Sequence, residues 1–250
     1  MEENIALELN SLHFSIGGSS ILNGISFKVR KGETLGIIGP NGSGKTTLFN
    51  CLSGFHFPSA GKIFFGDREV TDLNPHLRAM LGIGRVFQNF GIFKEMTVAE
   101  NILTALESRA RKCKNFENND KHGETISYLK MAGLDGKAKD KAGTLSGGQM
   151  RLLEMIRTLA FGADLFLLDE PTAGVSPKMK EQVAALIRTL QERVCTIMII
   201  EHDINFIQKF CDRIVVLDLG KVVLDDTPEQ VRQNPLLHQI YFGKDSNQVK

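Results

Sequence analysis

The chain has 250 residues, 42% hydrophobic and 24% charged, the balance of a soluble globular protein long enough for one large domain or two small ones. Its 30 basic and 29 acidic residues leave a net charge of +1, which excludes bulk electrostatic attraction to nucleic acid or an anionic membrane. Apolar runs such as Cys195 to Ile200 are too short to span a bilayer, and Met1-Glu2-Glu3 is unlike a signal peptide, so the expectation is a cytosolic chain. Cys51, Cys113, Cys195 and Cys211 form no C-x-x-C pair or metal spacing and are read as reduced thiols.

Ile5 to Phe14 and Ile21 to Lys31 alternate between apolar and polar residues around a Gly17-Gly18 turn, which predicts an antiparallel pair. Leu35 to Ile38 is a short buried-type strand. It leads into Gly39-Pro40-Asn41-Gly42-Ser43-Gly44-Lys45-Thr46, a G-x-x-x-x-G-K-[ST] loop, and then into a helix over Thr46 to Leu52. Glycines let the backbone wrap a phosphate chain with its N–H groups inward, and the helix N-terminus adds partial positive charge. Lys45 is placed to reach the β- and γ-phosphates and the Thr46 hydroxyl to ligate Mg²⁺. The competing reading is a glycine-rich turn with a solvated lysine.

Ile63 to Phe65 with Gly66-Asp67 repeats the strand-and-turn pattern. A short helix is predicted over Pro75 to Ala79, then a strand over Arg85 to Phe87 ending at Gln88. Asn89 to Met96 scatters Phe90, Ile92, Phe93 and Met96 among polar residues, which is either a surface for a partner or a loop tucked into the local core. Thr97 and Glu100 form a capping box for a helix to Ala110; a mixed-charge connector over Arg109 to Gly123 and a helix over Glu124 to Ala132 follow.

Leu145-Ser146-Gly147-Gly148-Gln149 stands at the start of a helix and reads as a second anion site, with backbone donors and an outward hydroxyl. Leu165 to Leu168 is a parallel-sheet type of run that stops at Asp169-Glu170. Carboxylates there suit Mg²⁺ through water and a general base, or they are the polar end of a strand. Ser176-Pro177 caps a helix. A second buried strand, Cys195 to Ile200, ends at Glu201-His202-Asp203, where His202 is either structural or part of the site. A hairpin around Gly220 and C-terminal helices over Pro228 to Phe242 complete the chain.

Phosphate loop, Gln88 after a strand, LSGGQ, a strand ending in Asp-Glu and a strand ending before His, in that order, resemble the ATP-binding subunit of ABC transporters. The resemblance covers nearly the whole chain. It implies an α/β P-loop NTPase fold: a RecA-like parallel-sheet core with a small antiparallel β subdomain and an α-helical signature subdomain. It implies one domain over 1–250, with 1–88 and 157–250 as core and antiparallel sheet and 89–156 as the helical part. It implies that Gly39 to Thr47, Thr47 included, hold the ATP phosphates, with Mg²⁺ on Thr46, Gln88 and Asp169. Glu170 is then the base, His202 contacts the γ-phosphate, and Ser146, Gly147, Gly148 and Gln149 of a second ATPase subunit close the site.

The implied partners are that second subunit, as homodimer or heterodimer, and integral membrane permease subunits that hold the protein on the cytoplasmic face, with Asn89 to Ala110 as the docking region and no nucleic acid. Phe87-Gln88-Asn89-Phe90, Ile92-Phe93, Glu95 to Asn101, Ala173-Gly174 and the ending Tyr241-Phe242-Gly243 are similar to the ATPases of branched-chain amino acid importers, and lipopolysaccharide-transport ATPases share much of this. Two positions depart from the family pattern: Ile16, with Phe14 nearby, where an adenine-stacking aromatic is usual, and Ser176 in place of an acidic or amide residue. A soluble ABC ATPase acting on DNA or ribosomes is the reading from another class, which the single motif set and near-zero charge disfavour. A nucleotide-binding module without hydrolysis is a third, opposed by intact Lys45, Glu170 and His202.

Overall fold

A computed structural model describes residues 4–87, 91–112 and 120–242. The chain forms two compact units, Met1–Arg78 with Thr196–Lys250 and Ala79–Cys195.

The first unit contains an antiparallel sheet in the order β2-β1-β4-β5, built from β1 (Ile5–Ile16), β2 (Ser19–Arg30), β4 (Ala60–Phe65) and β5 (Arg68–Glu69). Gly17 and Gly18, both at positive φ, make the two-residue β1–β2 turn whose twist matches the strands. Near the middle of β1 the register slips between Leu9 and Leu12; Ser11 sits there at φ 47° and donates its N–H to Ser26 Oγ, so the extra residue is held as a bulge. Beside this sheet in the same unit, β3 (Thr34–Ile38) runs parallel to β8 (Thr196–Ile200) on one side and to β9 (Arg213–Asp218) on the other, with β10 (Lys221–Asp226) antiparallel to β9. Every residue of β3 and β8 is buried, as their uninterrupted apolar and β-branched sequences predict. α1 (Lys45–Leu52), α7 (Ile204–Phe210), α8 (Pro228–Gln233) and α9 (Pro235–Phe242) complete the unit, with the first four residues of α2 (Pro75–Leu81).

The buried Arg78 on α2 donates to the carbonyls of Cys51, Leu52, Thr71 and Leu73. Cys51 and Leu52 end α1, so this guanidinium satisfies carbonyls that the helix leaves open. Burial pushes its pKa down to about 10, which still leaves it charged at neutral pH.

In the second unit β6 (Ile83–Val86) and β7 (Leu165–Asp169) pair in parallel, with α3 (Val98–Lys112), α4 (Lys121–Met131), α5 (Gly147–Ala160) and α6 (Pro177–Glu192). β6 begins two residues before the predicted Arg85, because Ile83 pairs with Leu165 and the Gly82 carbonyl accepts the N–H groups of Asp164 and Leu165. It ends before Phe87, whose N–H is taken by a side chain instead of a strand. α4 starts three residues earlier than predicted, since Asp120 accepts the Gly123 N–H as N-cap. The capping box at α3 is present: Glu100 N–H donates to Thr97 Oγ1 and Thr97 N–H to Glu100 Oε2. Phe90, Cys113 and the middle of the connector, 113–119, lie outside the described residues, while its two ends belong to α3 and to the cap and first turn of α4. Cys51, Cys195 and Cys211 are free and buried, and burial pushes the Cys51 thiol up to about 12. Among the described residues no helix is long and apolar enough to cross a membrane.

Candidate functional site

In the first unit, the loop from Gly39 to Gly44 leaves the C-terminal end of β3 and enters α1 at Lys45. Gly44, at φ 104°, is the N-cap, and no side chain caps the helix. Ser43 is 2% exposed and its Oγ has no hydrogen-bond partner. An orphaned buried hydroxyl beside an uncapped helix start is what a loop built for a polyphosphate leaves behind, since such groups are otherwise satisfied within the protein. The buried Lys45 donates Nζ to the carbonyls of Gly39 (2.7 Å) and Pro40 (2.9 Å), so its ammonium is held over its own loop. Thr46 is exposed and Thr47 half-buried. A β-hairpin braces the loop from outside: Gly220 N–H, in the β9–β10 turn, donates to Ser43 O at 3.1 Å.

Because Ile37 pairs with Ile200 across β3 and β8, Gly39 and His202 each stand two residues beyond the same rung, at one end of neighbouring parallel strands. That edge is where ligands bind in open α/β sheets. His202 is exposed, and Asp203 beside it caps α7 by accepting from Asn205 and Phe206.

In the second unit, Asp169 is the last residue of β7 and Glu170 follows at φ 48°, one of four non-glycine residues with positive φ among those described. Left-handed backbone at a non-glycine position is costly and concentrates at functional sites. The Asp169 carboxylate is paired with Arg85 at 2.9 Å, both nearly buried, and the Arg85 guanidinium also lies 5.0 Å over the Phe87 ring. Gln88 itself is outside the described residues, but its flanks are firmly held. Glu154 of α5 is fully buried and accepts on one oxygen, Oε1, the N–H groups of Phe87 and Gly91, each at 2.9 Å. Arg151 donates to Phe87 O and Arg157 to Gly91 O, with Arg157 also 5.2 Å over the Phe93 ring. Burial pushes the Glu154 carboxyl pKa up against these hydrogen bonds and cations. Nothing in the local pattern singles out Glu154 or Arg85 beyond their helix and strand positions.

Ser146 is the N-cap of α5, and with Gln149 it forms a capping box: Ser146 Oγ accepts Gln149 N–H at 3.4 Å and Gln149 Oε1 accepts Ser146 N–H at 3.1 Å. The hydroxyl read as outward therefore first satisfies its own helix, while Ser146 and Gly147 stay exposed. Gly148 packs on Met179, whose N–H Ser176 accepts, so Ser176 acts as the cap of α6. Phe14 is stacked on His56 with centroids 4.8 Å apart, whereas Ile16 is 61% exposed and is the open apolar side chain of the pair. Phe93 and Met96 are 49% and 38% exposed, on the surface side of the two readings of that segment, and Ile92 is half-buried. Among the described residues no three His, Cys, Asp or Glu side chains cluster as a metal site.

A glycine loop between a buried parallel strand and an uncapped helix defines a P-loop nucleotide-binding protein. A family model described as ABC transporter matches residues 22–173, and the chain belongs to that family, whose ATP-binding cassettes are ATPases that drive transport. It is similar to the high-affinity branched-chain amino acid transport ATP-binding protein BraF of Pseudomonas aeruginosa, with 37% identity over 95% of this chain and 98% of the other. It also matches the crystal structure of an ATP-binding cassette of an ABC transporter in its ADP conformation, with 30% identity, TM-score 0.83 and coverage of 96% and 99%. A dimeric bacterial ABC transporter cassette matches at 28% identity and TM-score 0.77, over 89% and 98% of the two chains.

Proposed function

We propose that this chain powers import of branched-chain or related amino acids through separate permease subunits, as one of two ATPase subunits on the cytoplasmic face of the membrane. The observation that carries the nucleotide half is the phosphate loop, with its orphaned Ser43 hydroxyl and the Lys45 ammonium stored on loop carbonyls. The cargo half rests on similarity to BraF along nearly the whole length of both chains. In this reading Gly39 to Thr47 bind the phosphates, and Lys45 transfers its hydrogen bonds from Gly39 and Pro40 to them. Thr46, Gln88 and Asp169 supply hard oxygen donors suited to Mg²⁺, which offsets phosphate charge when bound. Glu170 takes the proton of the attacking water, and His202, at the strand edge beside the loop, contacts the γ-phosphate. The exposed Ser146 and Gly147 close the site of the second subunit, so hydrolysis belongs to the dimer. Reconstituted in liposomes with permease subunits and a binding protein, the chain is expected to show ATP turnover raised about tenfold by leucine, isoleucine or valine. No response to any aliphatic amino acid would overturn the cargo assignment.

The exposed Phe93 and Met96 are the permease-docking anchors, an apolar pair on a loop tied down by Asn101, which accepts Phe93 N–H and donates to Phe93 O. Truncating both to Ala is expected to weaken co-purification with the permease by about thirtyfold, the loss of roughly 2 kcal/mol of anchor contacts. Basal turnover of the isolated subunit should stay within about twofold, because neither side chain belongs to the nucleotide machinery; unchanged co-purification would remove the docking role.

A further inference from the structure

Gly39 opens the phosphate loop, and the chain itself occupies the directions around it. Its carbonyl accepts Lys45 Nζ, its Cα faces Leu217 O and Ser43 Oγ, and its N–H donates to the Tyr241 phenol oxygen at 2.9 Å. Tyr241 comes 202 residues later, on α9. That helix is anchored by the buried Leu237 and started by Asn234, whose Oδ1 accepts the Leu236 N–H at 3.0 Å. The ending Tyr241-Phe242-Gly243 is thus more than a mark of similarity: its tyrosine touches the nucleotide loop.

We propose that Tyr241 is a positioning residue for ATP, whose phenol oxygen fixes the Gly39 peptide so that the C-terminal helix sets the affinity of the phosphate loop. The inference rests on the reading that residues 39–47 hold the phosphates. Lys45 must leave the Gly39 carbonyl to engage a phosphate, whereas the Tyr241 hydrogen bond uses the N–H and need not be broken. The loop therefore keeps one end anchored while its lysine moves. A loop ordered beforehand spares the binding step that loss of freedom. Burial pushes the phenol pKa upward, so the anchor is a neutral hydroxyl across the working pH range.

Tyr241→Phe in the full chain removes one oxygen and leaves the ring. Calorimetric titration with ATP is expected to show a Kd raised about three- to tenfold, the worth of one neutral hydrogen bond, with KM for ATP rising in parallel and kcat unchanged. Tyr241→Leu, which also removes the ring, should weaken ATP at least as much. An unchanged Kd in Tyr241→Phe overturns the proposal, whether or not melting temperature falls, since lost stability alone is what packing would give. Weakening in Tyr241→Leu but not in Tyr241→Phe overturns it equally, by assigning the effect to the ring. Failure of the reading it rests on looks different: if residues 39–47 did not hold the phosphates, Lys45→Ala would leave the ATP Kd unchanged as well, whereas a Kd raised by Lys45→Ala but not by Tyr241→Phe overturns the role of Tyr241 alone.

Discussion

Glu170→Gln is expected to lower ATP turnover by about a hundred- to ten-thousandfold, the range that a general base contributes, while leaving ATP affinity within a few fold. The amide keeps the size of the carboxylate but has no basic oxygen for the proton of the attacking water. The position is set by the backbone: β7 is buried throughout, Glu170 turns out of it at φ 48°, and its carbonyl accepts the Ala173 N–H, so the chain bends where the carboxylate stands. A group in such a conformation costs stability, which a merely polar strand end would have no reason to retain. Because binding survives and turnover does not, the variant should accumulate with ATP as a closed dimer, visible as doubled mass by light scattering. Loss of less than about tenfold in turnover would show that Glu170 is not the base.

The parts of this molecule that were legible in the sequence are those whose chemistry is local. Glycine spacing announced the phosphate loop, Thr97 with Glu100 announced a helix start, Ser176-Pro177 announced another, and the apolar runs at 35–38, 165–168 and 195–200 match fully buried strands to within one residue at each end. Boundaries shifted where a distant group intervened. β6 stops at Val86 because Glu154, 67 residues later, takes the Phe87 N–H, and no local pattern around Phe87 encodes that.

Arg78, Glu154 and Tyr241 share the reason they were missed. Each acts on backbone groups as far as 27, 67 and 202 residues away, and a backbone N–H or carbonyl has no identity in sequence. A side chain that serves another side chain can be suspected from charge or type; one that serves a peptide group cannot. In this chain Tyr241 holds the first residue of the glycine loop, Arg78 the end of the helix that follows it, and Glu154 the backbone of Phe87 and Gly91. The motif residues would do the chemistry, and the residues that hold the motifs in place were not visible until the chain was folded.

Gly39→Ala is expected to abolish useful ATP binding, raising Kd more than about a hundredfold, with a clear fall in melting temperature. Gly39 has φ 151°, and a Cβ there would lie 2.1 Å from Leu217 O and 2.7 Å from Ser43 Oγ. The serine could rotate away, but Leu217 O is backbone of β9, and β9 pairs with β3, the strand that delivers the loop. The overlap can be relieved only by moving that strand or the loop, and moving the loop also breaks the Tyr241 and Lys45 hydrogen bonds to Gly39. Gly42→Ala makes the comparison decisive. Gly42 also has positive φ, 81°, but its Cβ would meet nothing within 4 Å. It bears only the left-handed backbone cost of about 1–2 kcal/mol, so its ATP affinity should fall by about tenfold or somewhat more. Equal losses in the two variants, measured by titration with ATP, would mean that backbone conformation alone governs the loop and that its seating against β9 is irrelevant to binding.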